Sequence, residues 1–282
     1  MFSLKYLSTN CIHYLMINNI RFELSFKNIE QLENKLNFCK FNKIKNINIP
    51  CKDPIKKDFF NSTIKYISKN HQEFNLTYHY SLYHQYFQNK EKSYQYFLTF
   101  LKNSCSNRNY EILLVSGSNK KKNFDVINVL SKVKEEKNLK VKLGIAHNPY
   151  LKKYYNDTSE RERLDRKLSS GLINSIWFQY GTDIKVLQNE VSYLMKAIKD
   201  EKINLFGSLL VPSKQFIARF KFRPWKGVHI SEKYIYSLDY FDGFTRDLVC
   251  FYKKNNITPV IETDFSSSEK LDYIHNLFRN ER

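Results

Sequence analysis

Short apolar runs alternate with longer amphipathic segments along the chain from residue 20 onward. The short runs are rich in β-branched and aromatic residues, which is typical of strands. The segments between them, such as NIEQLENKLNFCKF and DVINVLSKVKEE, carry apolar residues at the three- and four-residue spacing of a helix. The predicted strands are Ile20–Phe26, Ile44–Pro50, Phe74–Leu82, Glu111–Gly117, Lys140–His147, Ser175–Tyr180, Ile203–Val211 and Ile257–Asp264.

Strands that each precede a helical segment, eight times over, predict an α/β fold, the (β/α)8 TIM barrel, built as a single domain. An open, doubly wound sheet is the main competitor for this order of elements. No G-x-G-x-x-G stands after the first strand, where FELSFKN is found, so that competitor lacks its usual dinucleotide-binding signature. Local signals agree with the helices, since Ser159 and Asp183 precede two helical segments and Gly171 follows one.

The N-terminal stretch MFSLKYLSTNCIHYL differs from the rest of the chain. It has neither the charged region and cleavage site of a signal peptide nor the arginines of a transit peptide. Regular patterning begins just after Met16. We therefore expect the barrel to span residues 16–282 and residues 1–15 to form an N-terminal extension. A mis-set start codon would explain this extension, and so would a short helix that closes the barrel floor.

The charge of the chain raises the question of an anionic partner. The 282 residues carry a formal net charge of +18, but the lysines are scattered along the whole sequence. The tight basic run Lys120–Lys122 follows a Gly-Ser-Asn turn and suits either solvent or an anionic ligand. A nucleic-acid partner is not expected from this distribution. No apolar run reaches the roughly 20 residues that a membrane span needs, so no membrane partner is expected either.

The spacing of the cysteines and histidines indicates whether the chain forms disulfides and whether it binds a metal ion. The five cysteines fall at no paired spacing, which favours reduced thiols in a cytoplasmic protein over a disulfide framework. The seven histidines form no H-x-H and no H-E-x-x-H, so no metal site is expected. A homo-oligomer is left open by these features.

Polar residues late in the apolar strands are the candidates for chemistry, because active sites of such barrels lie at the carboxyl ends of the strands. Period-two alternation places Glu23, His79, Gln179 and Glu262 where they would project into one barrel mouth. A carboxyl group held there can serve as a general acid. Each residue also has a structural explanation: a surface glutamate, a histidine satisfied in the core, or an amide bonded within the fold.

From about residue 20 to the C-terminus, the order of segments resembles the methylenetetrahydrofolate reductases, flavin-dependent barrels of one-carbon metabolism. RFELSF resembles the family's first strand, Phe-Glu-Phe-Phe-Pro-Pro, and LTYHYS its histidine-bearing third strand. ILLVSGSN and KLGIAHNP stand where the family has Leu-Arg-Gly-Asp and Val-Ala-x-Tyr-Pro. RLDRKLSSGLINSIWFQYGTD is close to Leu-Lys-x-Lys-hydrophobic-Asp-Ala-Gly-Ala-x4-Thr-Gln-x3-Asp. GSLLVPSKQFIARF resembles the seventh strand and the helix after it.

The resemblance implies reduction of 5,10-methylenetetrahydrofolate to 5-methyltetrahydrofolate by NADH or NADPH through FAD, in methionine metabolism. Glu23 falls on the family's catalytic glutamate, the general acid. Gln179 falls on the glutamine that contacts folate and nicotinamide, and Phe216 on the aromatic that stacks on the substrate ring. The flavin contacts implied by the resemblance fall on His79, Gly117, Ser118, Asn148, Glu160, Arg163, Arg166 and Lys167.

The sequence departs from the family around the flavin. The Pro-Pro after the first strand is absent, and Ser118 stands where the family has an aspartate beside the flavin ring. Asn148 replaces a tyrosine, and YLKKYYND replaces the His-Pro-Glu segment that follows it. Glu160 and Arg163 stand on an aspartate and an asparagine of the ribityl site. Glu23 and Gln179 therefore match the family's pattern better than the residues at the positions of its flavin contacts do.

Two alternatives to the reductase hypothesis stay open. The first is a folate-binding paralogue of the same fold that has lost or altered its use of flavin. The second is a basic barrel that binds RNA without catalysis, for which affinity would fall steeply with salt.

Overall fold

The computed structural model shows a closed barrel of eight parallel strands, β1 to β8, in which each strand pairs with its sequence neighbours and β8 pairs with β1. The described residues are 20–51, 57–104, 110–116, 124–136, 139, 141–151, 159–198, 202–225 and 227–279. The strands are β1 Arg21–Glu23, β2 Asn46–Ile49, β3 Asn75–Ser81, β4 Tyr110–Val115, β5 Lys142–His147, β6 Ile173–Phe178, β7 Asn204–Leu209 and β8 Ile257–Ile261.

Helices follow the strands around the outside of the barrel. They are α1 Ile29–Phe41, α2 Lys57–Asn70, α3 Lys90–Ser104, α4 Val126–Glu135, α5 Glu160–Leu168, α6 Ile184–Ala197, α7 Lys214–Phe222, α8 Glu232–Tyr236, α9 Leu238–Lys254 and α10 Ser268–Arg279. The predicted (β/α)8 fold is therefore confirmed. Residues 1–15 lie outside the described residues.

Each predicted strand is confirmed, although the bounds differ by a few residues. Most strands are shorter than the apolar runs, because ladder pairing stops where the neighbouring strand ends. The apolar residues beyond that point, such as Leu24 and Leu210, remain fully buried under the helices. By contrast, β4 and β6 begin at Tyr110 and Ile173, which precede the predicted starts.

The helix ends follow from local sequence. Ser159 and Asp183 accept hydrogen bonds from backbone N–H groups in the first turns of α5 and α6, and Ser159 forms a reciprocal capping box with Glu162. Gly171 adopts a φ of +70° just after α5, as expected of a left-handed helix stop. No described helix is both long and apolar enough to cross a membrane.

An excursion of the chain follows β7 at the carboxyl end of the barrel. It comprises the described residues 210–225 and 227–237, with α7 and α8, and we call it the mouth excursion. The long helix α9 then runs back and packs on β8 as the covering helix of this unit. Phe216 of α7 contacts Phe241 in the first turn of α9, with ring centroids 5.9 Å apart. The excursion is thus fixed above the start of α9, where the loops of such barrels form active sites.

Candidate functional site

The strand register sorts the inward-facing side chains into layers, each drawn from alternate strands. Counted toward the mouth, one layer contains Arg21, Thr77, Gly144 and Phe206, the next contains Asn48, Leu113, Trp177 and Val260, and the third contains Glu23, His79, Ala146 and Ser208. Gln179 and Glu262 occupy the next inward positions beyond β6 and β8. The strands therefore place the four residues that alternation predicted at the same end of the barrel, and of these Glu23 and His79 are in contact.

Glu23 and His79 are neighbours in the layer nearest the mouth. Oε2 of Glu23 lies 3.5 Å from Nδ1 of His79, and the Glu23 residue is only 5% exposed. The His79 ring stands edge-on to the Trp177 ring, with centroids 6.1 Å apart. This contact orients the imidazole above an aromatic floor. A carboxyl group and an imidazole so placed can hold or pass a proton at the base of the mouth.

Gln179 lies at the rim of the mouth, half-buried. Its backbone N–H donates to the carbonyl of His147 at 2.8 Å, and its side-chain Oε1 accepts from the N–H of Tyr180 at 3.2 Å. The Nε2 atom faces the mouth excursion, 3.6 Å from where a Cβ on Gly227 would lie. Gly227 has a φ of +85°, a conformation that favours glycine. A side chain at position 227 would therefore be strained by the backbone conformation, while its Cβ would make only an ordinary contact with the carboxamide.

The mouth excursion is tied to the ends of β5 and β6 by several hydrogen bonds. Asn148 Nδ2 donates to the carbonyl of Gly227 at 3.0 Å. Thr182 N–H donates to the carbonyl of His229 at 2.9 Å, and Ser231 N–H donates to Oγ1 of Thr182 at 2.8 Å. These bonds hold the loop after α7 beside Gln179 rather than out in solvent.

Phe216 does not present an open ring to the mouth. The residue is 8% exposed, and its ring packs against Phe220, Phe241 and Trp225, with centroids 5.9, 5.9 and 5.4 Å away. Its place in α7 is apolar because the helix must bury one face against α9. Trp225 stands edge-on to Phe216 and is 38% exposed. The exposed aromatic side chains of the excursion are instead Phe222, Trp225 and Tyr236.

A buried arginine lies in the barrel below the mouth. The Arg21 guanidinium donates from Nε to Oδ1 of Asn48 at 2.8 Å and lies 5.7 Å from the centroid of the Trp177 ring. Burial lowers the pKa of Arg21 to about 10, and the opposite charge of Glu111 counteracts that effect. Arg21 is therefore still a cation at neutral pH. This cation–π contact fixes the aromatic floor on which His79 rests.

Glu111 balances this charge from the fourth strand. Its carboxylate accepts a hydrogen bond from the hydroxyl of Ser175, which in turn accepts from Trp177 Nε1 at 2.6 Å. Burial raises the pKa of Glu111, while the Ser175 hydroxyl and the Arg21 charge lower it in part. Gly144 makes room for the group, because a Cβ there would lie 2.5 Å from Ser175 Oγ.

A second buried charge cluster lies outside the barrel wall, between the end of β5 and helices α5 and α6. The His147 imidazole contacts two carboxylates, with Nε2 3.0 Å from Glu190 Oε1 and Nδ1 3.7 Å from Glu160 Oε1. Lys167 Nζ donates to Glu160 Oε1 at 3.4 Å and to the carbonyl of Ala146 at 3.0 Å.

Arg163 completes this outer charge cluster. It donates to Oδ2 of Asp125 at 3.2 Å, and its Nε lies 3.5 Å from Oε2 of Glu160. Burial raises the pKa of Glu160, but the neighbouring His147 and the cations Lys167 and Arg163 outweigh burial and hold that pKa below its usual value. Glu160 is 9%, Arg163 6% and Lys167 3% exposed. Their charged atoms are therefore engaged with one another within the helical layer.

The residues that the resemblance assigns to flavin are dispersed. Three of them belong to the outer charge cluster, and Arg166 is exposed on α5. Asn148 donates to the backbone of Gly227, while Gly117 and Ser118 lie outside the described residues. A flavin needs accessible donors for its phosphates and ribityl chain. The described residues assigned to FAD do not fit it, since most of their donors are already hydrogen-bonded within the protein.

Several residues of the site region escaped the sequence patterns. Glu190 and His147 were missed because a charged residue in an apolar stripe, or at an outward strand position, is ordinarily assigned to the surface. The apolar neighbours Leu187, Val191 and Leu194 on one face of α6 were the available signal for Glu190. Trp225 was missed because it lies in a loop. No group of three or more His, Cys, Asp or Glu among the described residues could hold a metal ion.

Comparison with known proteins supports the fold. No family model matches the chain, and no curated protein matches it. A Clostridium thermocellum protein described as binding two copies of 5-methyl-5,6,7,8-tetrahydrofolic acid is similar in structure, with a TM-score of 0.58 and 12% identity over 96% of this chain and 98% of that chain. The active domain 2 of a Pyrococcus furiosus chitinase gives a TM-score of 0.51 and 10% identity over 86% and 83% of the two chains. At such identities these likenesses show the barrel fold alone.

Proposed function

We propose that the protein binds a reduced folate in the barrel mouth and that Glu23 exchanges a proton with it. The observation that carries this proposal is the placement of Glu23 beside His79 in the layer below Gln179. A pterin edge presents both hydrogen-bond donors and acceptors, which a carboxyl group and a carboxamide complement. The aromatic floor of Trp177 and Phe206, stacked with centroids 4.0 Å apart, gives the mouth an apolar base.

Two independent likenesses support a folate over another small ligand. The ordered segments of the sequence, above all those around Glu23 and Gln179, resemble a folate-using family. The Clostridium thermocellum barrel described as binding 5-methyltetrahydrofolate covers nearly the whole of this chain. Both likenesses indicate the same ligand class.

The reaction we propose for the site acts on the five-membered ring of 5,10-methylenetetrahydrofolate. Glu23 donates a proton to the nitrogen that leaves as this ring opens, and Gln179 orients the pterin edge by hydrogen bonding. Because Glu23 is buried, bulk water does not compete for the proton that its carboxyl group donates. Reduction of the opened ring by NADH or NADPH would give 5-methyltetrahydrofolate. FAD could supply that hydride, but the described residues do not fit it, so we propose flavin-free folate binding as the primary activity.

Binding and turnover are tested together on the purified chain. We expect 5-methyltetrahydrofolate to bind by calorimetry, and Gln179→Leu to weaken binding about tenfold, since one hydrogen bond is worth about 1–1.5 kcal/mol. Glu23→Gln keeps the shape of the mouth, so it should retain binding while abolishing any conversion of 5,10-methylenetetrahydrofolate. Glu30→Gln, an exposed glutamate in the first turn of α1, is the matched control.

Three results would count against this proposal. Absence of folate binding by the unmodified chain would refute it outright. Unchanged turnover in the Glu23→Gln variant would remove the proposed role of that residue. A flavin absorbance band at roughly 450 nm in the purified protein would favour the FAD-dependent reductase instead.

A further inference from the structure

The mouth excursion exposes aromatic rings among cations. Phe222, the last residue of α7, is 91% exposed, and Tyr236, the last residue of α8, is 75% exposed. Single exposed rings are ordinary on a protein surface, whereas several that lie together mark an interaction site. We call the exposed aromatic and basic side chains of α7 and its neighbourhood the aromatic–basic face, which consists of Lys214, Arg219, Lys221, Phe222, Arg223, Trp225 and Tyr236.

The charge of the aromatic–basic face has one sign. No Asp or Glu lies between Glu201 and Glu232 in the sequence. The four cations of the face form no ion pair with any residue that the structure describes. Lys221 Nζ lies over the Tyr236 ring, 4.6 Å from its centroid, so the cations of α7 and the ring of α8 belong to one surface. Exposed charges of one sign attract a partner of the opposite sign.

The rings of this face project from a convex helix end. Helix α7 buries Phe216 and Phe220 against the protein, while Phe222 stands free of neighbours over nearly all of its surface. A side chain so exposed cannot form the wall of a groove. Trp225 packs edge-on against Phe216, and its carbonyl accepts from Val228 N–H at 3.1 Å, which fixes the base from which the rings project. A partner must therefore accept aromatic tips and cations from one side.

We propose that the aromatic–basic face docks the barrel on an anionic membrane surface. The rings of Phe222, Trp225 and Tyr236 enter the layer of lipid headgroups, where aromatic side chains are favoured because the layer is partly apolar and partly wet. The cations around them contact the phosphates and carboxylates of the headgroups. Contact of this kind is peripheral and needs no membrane-spanning segment. The inference goes beyond the proposed function and does not depend on it.

Other occupants suit the face less well. A second copy of the chain, docked about a two-fold axis, would set the cations of the face against the same cations of its partner. A single-stranded nucleic acid stacks its bases along a positively charged groove. Here the surface is convex, and Glu232 and Asp239 are exposed at the next two helix starts, so the cations do not continue as a track.

Docking by this face would place the barrel mouth beside the bilayer. Two residues beyond Trp225, the carbonyl of Gly227 accepts a hydrogen bond from Asn148 at 3.0 Å, at the rim next to Gln179. The face and the rim are thus parts of one backbone segment. A docked chain would exchange its ligand at the edge of the membrane rather than on the side that faces away.

Tryptophan fluorescence tests the contact directly. The chain has two tryptophans, and Trp177 is buried inside the barrel. Vesicles that contain phosphatidylserine and phosphatidylcholine should therefore shift the emission of Trp225 to shorter wavelength, and phosphatidylcholine vesicles should not. Phosphatidylcholine brominated on its acyl chains, added to the phosphatidylserine vesicles, should quench this emission. Trp225→Phe should still sediment with the vesicles while losing the shift.

Vesicle sedimentation separates the contributions of charge and of aromatic rings. Lys221→Gln/Arg223→Gln should weaken partitioning onto phosphatidylserine vesicles about thirtyfold, since each cation at such a surface contributes about 1 kcal/mol. Raising the salt concentration should weaken binding of the unmodified chain, because salt screens these charges. Phe222→Ser/Tyr236→Ser should weaken partitioning about tenfold through the loss of inserted rings.

Two matched controls lie at the floor end of the barrel. Phe41→Ser removes a ring that is 86% exposed at the C-terminal end of α1, and Lys65→Gln/Lys69→Gln removes two exposed cations from α2. Neither should alter partitioning. An unchanged Trp225 emission, equal binding to phosphatidylcholine vesicles, or equal losses in the controls would overturn the inference. Tighter binding of oligouridylate than of vesicles, lost in Lys221→Gln/Arg223→Gln, would replace the membrane with RNA. Folate binding is measured without lipid, so each of these results leaves the proposed function standing.

Discussion

Replacing Glu160 by glutamine should destabilise the protein far more than an ordinary helix substitution. The carboxylate lies 3.4 Å from Lys167 Nζ and 3.5 Å from Arg163 Nε, and both cations are almost fully buried. At an effective dielectric constant of roughly 20, a charge pair at that separation is worth about 5 kcal/mol. Mutational data for broken buried pairs give about 3–5 kcal/mol, since the remaining charge stays desolvated. Arg163 keeps Asp125, so most of the loss falls on Lys167.

Thermal unfolding at pH 7 provides the assay. For a chain of this size about 2 °C is lost per kcal/mol, so the melting temperature of Glu160→Gln should fall by about 6–10 °C. Glu30→Gln removes an exposed first-turn glutamate from α1 and should cost under about 2 °C. Glu160→Gln/Lys167→Met should recover most of the loss, because no uncompensated lysine remains. A Glu160→Gln melting temperature within 2 °C of the control would refute the reasoning.

Two further predictions concern the buried charges. Gly144→Ala would place a Cβ 2.5 Å from Ser175 Oγ and should lower the free energy of unfolding, measured with urea, by about 1–3 kcal/mol. Gly243→Ala, in α9 with open space around the added methyl group, should instead raise it by up to about 1 kcal/mol. Equal effects of the two substitutions would contradict the packing described around Gly144. Glu160 and Glu190 both have pKa values held below the ordinary 4.5, so their stabilisation is complete above that pH and is lost as pH falls through the lowered values. The Glu160→Gln/Glu190→Gln variant should therefore show a flatter decline of melting temperature below about pH 5 than the unmodified chain, and parallel declines would argue against the assigned shifts.

The strands and the barrel were predictable from sequence because parallel strands buried on both faces leave continuous apolar runs. Period-two alternation was enough to place Glu23, His79 and Gln179 on the inward side, and the pairing register then fixed their heights. The distances between these side chains across the barrel depend on the stagger between strands, which cannot be read from the sequence of any one strand.

The outer charge cluster could not be predicted from sequence in the same way. Glu160, Arg163 and Lys167 share one face of α5, but charged residues at such spacing are usually solvated. Arg163 is compensated by Asp125, the N-cap residue of α4, and His147 beside Glu160 is compensated by Glu190 of α6. Such long-range compensation leaves no local pattern. Likewise, Phe216 is an aromatic residue at a plausible contact position, and only the packing of α9 shows that its ring is covered.

The way the mouth excursion is fastened bears on how new ligand preferences can be engineered. The bonds from Thr182 N–H to His229 and from His229 N–H to Tyr180 join backbone to backbone. Backbone hydrogen bonds of this kind do not depend on which side chains the bonded residues carry. The outward-facing positions of the excursion can therefore be randomised or exchanged between barrels while its docking points persist. The barrel would then stay constant, and an exchanged excursion would determine which ligand the barrel mouth binds.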